Sequence, residues 1–201
     1  MTFPAFFEHV SAIESVDPLA ALLGAADAGR IAYRYADAVR LAGHSCPTVV
    51  GAWLMASQAL KRLFPDALPV RGTIRVELRE ARDAGTTGVV ANVFSLITGA
   101  GDEGGFKGLN GRFARRGLIY FGASILGDAR FTRLDTGAAV ELTYDPSSVP
   151  PDPAMPALMQ KVMAGQADAG EQAEFGRLWQ DRVRRLLLEH GDDAGVVRIL
   201  P

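Results

Sequence analysis

Residues 41–64, LAGHSCPTVVGAWLMASQALKRLF, contain the pattern that decides the fold. After Pro47, large apolar residues recur at steps of three and four as far as Phe64, which predicts a helix over 47–64. Proline suits the first position of a helix because it has no N–H to leave unpaired and its φ is already helical. Small residues such as Gly51 lie along this helix and indicate that another backbone packs closely against it. The sequence therefore predicts a long, buried helix in the first half of the chain.

The composition is that of a soluble globular protein. The chain has 201 residues, a formal net charge of -2, 48% hydrophobic and 22% charged residues, which is enough to bury a core. No basic stripe points to nucleic acid, and no apolar run reaches the roughly 18 residues that a membrane span needs. A single cysteine excludes an internal disulfide, and the first residues do not resemble a signal peptide. We therefore expect a cytoplasmic protein.

The period of the hydrophobic pattern changes after the helix. Residues 73–80 alternate apolar and charged side chains, as in a half-buried strand, and 89–97 form an apolar run typical of a central strand. Further strands are predicted at 118–123, 129–134 and 138–144. The last two are separated by Asp135-Thr136-Gly137, which predicts an antiparallel hairpin. The connections are too short for crossover helices, so the sheet should be largely antiparallel.

Shorter patterns complete the predicted architecture. Asp17 and Pro18 suit the cap and first position of a helix, and residues 31–41 allow a strand at 31–34, a helix from Tyr35, or both. After a proline-rich break, 155–163 and 171–190 have helical spacing. The predicted class is α+β: a largely antiparallel sheet packed by an N-terminal buried helix and by C-terminal helices. Residues 1–150 would form the core domain, and 151–201 a helical extension packed on it.

The stretch from His44 to Pro47 holds the residue types most able to do chemistry. Cys46 is the only cysteine, and His44 is one of three histidines. At the N-cap of the helix, the sulfur would face unpaired backbone N–H groups and the positive end of the helix dipole, which favour a thiolate. Imidazole and thiolate together suit zinc, iron or copper, although a complete site needs further ligands. The alternative is a buried cysteine beside a hydrogen-bonded histidine, both with structural roles.

Residues 98–113, TGAGDEGGFKGLNGRF, form a second unusual stretch. Its glycines would join two strands through a long loop whose backbone N–H groups can approach an anion. It has neither the Walker pattern nor the dinucleotide fingerprint. The side chains that could serve a site here are Asp102 and Glu103 for a metal, and Lys107, Asn110 and Arg112 for an anionic cofactor. A flexible hairpin loop with solvated charges is the alternative, but loops this long are often functional.

Gly43-His44-Ser45-Cys46-Pro47 resembles the Gly-His-x-Cys-Pro signature of the FmdE-like family, whose members are related to a small component of formylmethanofuran dehydrogenase. Thr98-Gly99-Ala100 is similar to that family's Thr-Gly-Cys loop, and the resemblance extends over roughly residues 30–188. It implies a small, often dimeric α+β domain with a metal near the His-x-Cys motif, and thus His44 and Cys46 as ligands. Ala42 and Ala100 stand where many members have histidine and cysteine. Asp102, Glu103, water or a second copy of the chain would then supply the remaining ligands.

The sequence thus predicts a homodimeric, metal- or metallocofactor-binding protein that could also take a small-molecule ligand. Its site would lie between the beginning of the 47–64 helix and the glycine-rich loop, with zinc as the expected metal and iron as an alternative. Three other functions remain open. They are a cysteine-dependent enzyme or sulfur or acyl carrier with His44 as the base for Cys46, a haem-binding protein through Cys46, and a non-catalytic accessory subunit of a molybdenum or tungsten oxidoreductase. Whether the chain is an enzyme stays open at this point.

Overall fold

The computed structural model describes residues 2–201, which fold into two sheets and six α-helices. This confirms the predicted α+β class. The elements are, in chain order, β1 (Ile13–Val16), α1 (Pro18–Leu22), β2 (Arg30–Tyr33), α2 (Tyr35–Ala42), α3 (Pro47–Leu63), β3 (Ile74–Leu78), α4 (Thr87–Thr98), β4 (Ile119–Tyr120), β5 (Ala129–Arg133), β6 (Ala139–Tyr144), α5 (Met155–Met163), α6 (Ala169–Leu188) and β7 (Val197–Ile199). None of the helices within these residues is both long and apolar enough to cross a membrane.

The larger sheet has the strand order β4-β3-β5-β6-β7 and is mostly antiparallel, as the sequence predicts. Only β3 and β4 run parallel. The predicted hairpin of β5 and β6 is confirmed, with Phe131 opposite Val140. Alternate residues of each strand face the helices, so Val76, Phe131 and Leu142 are fully buried. The sheet therefore presents one face to the core.

Helix α3 is the centre of the core. It begins at Pro47, as predicted, and packs against β5, β6 and β7 on the sheet and against α2, α4 and α6. Its small residues permit these close contacts. A methyl group at Gly51 would overlap the ring of Tyr144, which lies at the end of β6. Glycine at this position therefore brings α3 close to the sheet.

The prediction of a strand at 89–97 is wrong, because these residues lie within helix α4. Helix α4 is covered by α2, α3 and β3, so apolar residues are needed on most of its surface. A short apolar run of this kind does not distinguish a buried helix from a buried strand. The helix ends at Gly99, whose φ of 72° is left-handed and whose N–H donates to the carbonyl of Ser95. The glycine-rich stretch therefore follows a helix and does not join two strands.

The two ends of the chain add a small hairpin and a last strand. Strands β1 and β2 form a separate antiparallel sheet, and both options predicted for 31–41, the strand and the helix from Tyr35, are realised. Asp17 caps α1 as expected, accepting from the N–H groups of Leu19 and Ala20. Residues after 150 form α5 and α6 but also β7, which pairs with β6 in the main sheet.

Candidate functional site

Ser45 is held in place by hydrogen bonds from two helices. Its hydroxyl lies 2.9 Å from that of Tyr35, the first residue of α2, and both side chains are buried. Its carbonyl oxygen accepts from the indole Nε1 of Trp179 at 2.9 Å and from Nε2 of Gln180 at 3.2 Å, both on α6. The segment that carries His44 and Cys46 therefore has a defined conformation. The sequence offered no signal for these partners, because Trp179 and Gln180 are 134 and 135 residues away.

Cys46 is the N-cap residue of α3 and is buried, with 9% of its surface exposed. Its thiol accepts no hydrogen bond from the first N–H groups of the helix, so the predicted capping interaction is not formed. The phenols of Tyr35 and Tyr144 lie nearby. Burial raises the pKa of both phenols, and a negative charge on Cys46 would raise both further. The two phenols therefore stay protonated, and Tyr144 donates to the carbonyl oxygen of Pro47 at 2.8 Å.

His44 lies outside the core, only two residues from Cys46. Gly43 has a left-handed φ of 76° and ends α2, which turns the chain so that the imidazole is exposed. Nδ1 lies 3.0 Å from the carbonyl oxygen of Ala42. Since a carbonyl oxygen can only accept, Nδ1 carries a proton, and in the neutral ring Nε2 then keeps its lone pair. The ring is therefore oriented by the backbone and presents Nε2 as a potential ligand.

The carboxylate of Asp102 is already engaged within the glycine-rich loop. It forms an ion pair with Arg82, and its other oxygen accepts from the N–H of Gly104 at 2.8 Å. The hydrogen bond from Arg82 holds the pKa of Asp102 below its ordinary value. The guanidinium of Arg82 also lies 4.6 Å from the centre of the Phe121 ring. Asp102 thus fixes the loop to the segment that precedes α4.

The other candidate residues of the loop are exposed. The side chains of Glu103, Lys107 and Asn110 form no hydrogen bond or ion pair within residues 2–201, and Arg112 lies over the Phe113 ring at 4.8 Å. Asn110 and Gly111 have φ values of 47° and 77°, between Leu109 and Arg112, which exchange two backbone hydrogen bonds. This is a tight hairpin turn, in which asparagine followed by glycine is favoured for conformational reasons.

The two halves of the predicted site lie toward opposite ends of α4. Thr48, two residues after Cys46, lines the same cavity as Thr87 at the beginning of α4. The glycine-rich loop begins at Gly99, about 18 Å away at 1.5 Å per residue of helix. Within the described chain, no hydrogen bond or ion pair joins His44 or Cys46 to the loop. Residues 2–201 also contain no group of three or more histidine, cysteine or carboxylate side chains positioned to hold a metal ion.

A buried charge cluster is the main feature that sequence reasoning missed. The carboxylate of Asp17 binds Arg71 at 2.5 Å and Arg115 at 2.6 Å. Arg71 also donates to the carbonyl oxygens of Leu96 and Ile97, in the last turn of α4. In the sequence Asp17 indicates only a helix cap, and its partners are 54 and 98 residues away. The cluster connects α1, α4 and the segment that follows the glycine-rich loop.

The chemistry of the candidate site therefore depends on His44 and Cys46, one exposed and one buried, in a segment fixed by α2 and α6. The resemblance to the FmdE-like family stays a prediction. A scan against protein-family models and a search of curated proteins found no match to this chain.

Proposed function

We propose that this chain binds a transition-metal ion, with zinc as the first candidate, through His44 and Cys46. The observation that carries the proposal is the orientation of His44. Its Nδ1–H donates to the carbonyl oxygen of Ala42 at 3.0 Å, and its Nε2 is free at the surface. Histidines that bind metals typically donate their other ring N–H to a carbonyl or carboxylate, which fixes the tautomer and the ring.

The position of Cys46 agrees with a role as the second metal ligand. Its backbone is extended, with φ -151° and ψ 168°, and it lies only two residues from His44 along the chain. Ser45, between the two, is turned toward Tyr35 in the interior. The sulfur has no hydrogen-bond partner that a metal would have to displace. Thiolate and imidazole together form a donor set that zinc accepts readily.

The remaining ligands would come from outside this pair. Because the described residues offer no third ligand beside His44 and Cys46, water or a second copy of the chain must complete the coordination. The exposure of His44 agrees with either arrangement. We include a homodimer that shares the ion in the proposal, and a cytoplasmic location, because a lone cysteine ligand stays reduced there.

The geometry favours this function over a cysteine nucleophile. A histidine that acts as base should be within hydrogen-bonding reach of the thiol it deprotonates. Here the protonated nitrogen of His44 is engaged by Ala42, and no hydrogen bond joins the ring to Cys46. The same two residues would serve either function, so the experiment must measure metal binding directly.

Binding of zinc, and of cobalt as a spectroscopic substitute, is the test. We expect saturable uptake with a thiolate-to-cobalt absorption band, and a loss of affinity of about tenfold or more in both His44→Ala and Cys46→Ser. His9→Ala is the control, because His9 is exposed and lies outside the site. Binding of one ion per chain would indicate a site completed by water, and one ion per two chains a shared site. Failure of the wild-type protein to bind either ion, or unchanged binding by His44→Ala, would contradict the proposal.

A further inference from the structure

A cavity of about 190 Å³ lies between α3 and the first turn of α4. Thr48 and Met55 line it, and since they are seven residues apart they lie on one side of α3. Leu78 and Val90 complete an apolar wall. A dry apolar cavity of about 150 Å³ can hold benzene, so this one has room for a ring with one substituent. Neither His44 nor Cys46 lines it, so it is distinct from the proposed metal site.

Besides Tyr144, whose hydroxyl donates to the carbonyl of Pro47, three threonines bring hydroxyl groups to the lining: Thr48, Thr86 and Thr87. None of their hydroxyls has a hydrogen-bond partner among the residues that the structure describes. Thr98, at the other end of α4, differs in this respect, because its hydroxyl donates to Phe94 and accepts from the N–H of Ala100. The cavity therefore offers a group of unused hydroxyls beside an apolar wall.

The charges at the rim decide against an anionic ligand. Glu80 and Asp128 line the cavity, and both pair with Arg79, at 3.3 Å and 2.7 Å. The second oxygen of Asp128 accepts from the N–H of Tyr144, so both oxygens of this carboxylate already have a partner within the protein. An anion would be repelled by two carboxylates, and Arg79 offsets part of their charge, which weakens the attraction for a cation. The lining thus favours an uncharged ligand.

We propose that this cavity binds a small, uncharged and mainly apolar molecule, about the size of one aromatic ring, that carries one hydroxyl or carbonyl group. Its apolar part would contact Met55, Leu78 and Val90. Its polar group would exchange hydrogen bonds with the threonine hydroxyls of the lining. This site is additional to the proposed metal site and does not depend on it.

Calorimetric titrations with phenol, toluene and benzoate separate the contributions of the ligand's ring, hydroxyl group and charge to binding. We expect saturable binding of phenol, at least tenfold weaker binding of toluene, which lacks the hydroxyl, and no binding of benzoate. Thr48→Val should reduce the affinity for phenol toward that for toluene, and Val90→Phe should abolish binding by filling the cavity. An intermolecular NOE between phenol and the methyl group of Met55 would place the ligand in the wild-type protein without any substitution.

Three results would overturn the proposal: no binding of phenol, equal binding of benzoate, or an NOE pattern that excludes Met55. His44→Ala is the matched control and should bind phenol as the wild type does. Conversely, Thr48→Val should keep its affinity for zinc. Failure of the metal site and failure of the cavity site are therefore observed in different variants.

Discussion

At the scale of single residues, Asp17 carries a buried negative charge that two arginines surround. Burial alone would raise the pKa of Asp17, but the hydrogen bond from Ala20 and the charges of Arg115 and Arg71 outweigh it and hold the pKa below its ordinary value. The carboxylate therefore stays ionised in the folded protein. Removing it would leave two largely buried guanidinium groups without their counter-ion, which is much less favourable than losing an exposed pair.

Asp17→Asn should lower the free energy of unfolding by about 3–5 kcal/mol at pH 7. Since the folded-state pKa is depressed, this contribution is present above the unfolded pKa and is lost as the pH falls through the folded pKa. The difference between wild type and variant should therefore shrink below about pH 4 in urea titrations. Asp66→Asn, at an exposed position, should change stability by less than about 0.5 kcal/mol. A difference that does not vary with pH would contradict this account of Asp17.

At the scale of elements, the contact between α3 and β6 depends on the absence of a side chain at Gly51. The ring of Tyr144 fills the space that a methyl group would need, and its hydroxyl is bound to the carbonyl of Pro47. The ring cannot swing away without losing this hydrogen bond. The close approach of α3 to β6 therefore requires glycine at position 51.

A pair of glycine-to-alanine substitutions tests this contact. Gly51→Ala should destabilise the protein by about 1–3 kcal/mol through overpacking. Gly176→Ala, within α6 and with no atom near the new methyl group, should stabilise it by about 0.5–1 kcal/mol, because alanine is the better helix former. Chemical denaturation of the two variants gives the comparison. A loss of stability in both would mean that packing against Tyr144 is not the cause.

Helices α3 and α4 show which kinds of element the sequence predicts well and which it does not. Helix α3 has a proline start and an unmistakable helical period, and it begins where it was predicted. Helix α4 lacks both, because its neighbours cover it on most sides and an apolar run then carries no period. Only the end of α4 has a local signal, Gly99, and a glycine there is equally compatible with a turn after a strand. The wrong prediction of a strand at 89–97 concerns this one element, and the predicted α+β class is unaffected.

At the scale of the whole molecule, residues after 150 share the core with those before it. Val183 and Leu186 of α6 and Val197 of β7 are buried in the same cluster as α3, and β7 is a strand of the main sheet. Trp179 of α6 is also hydrogen-bonded to Ser45. Residues after 150 therefore contact both the core and the segment that carries His44 and Cys46.

We therefore expect one cooperative unfolding transition for the whole chain. The two tryptophans allow a direct test, since Trp179→Phe leaves the buried Trp53 as reporter and Trp53→Phe leaves Trp179 on α6. In each variant, the fluorescence transition in urea should coincide with the transition in far-ultraviolet circular dichroism. An earlier fluorescence transition for Trp179 alone would mean that residues 151–201 unfold as a separate unit.

The sequence by itself determined the elements whose signals are local: the start of α3 at Pro47, the cap at Asp17, the hairpin of β5 and β6, and hence the α+β class. It also singled out His44 and Cys46, because their side chains are rare in this chain. Only the tertiary structure decided that His44 is exposed while Cys46 is buried, and that the glycine-rich loop begins at the far end of α4. It also brought Asp17 to Arg71 and Arg115. Such features depend on contacts between residues tens of positions apart, which no local period or spacing specifies.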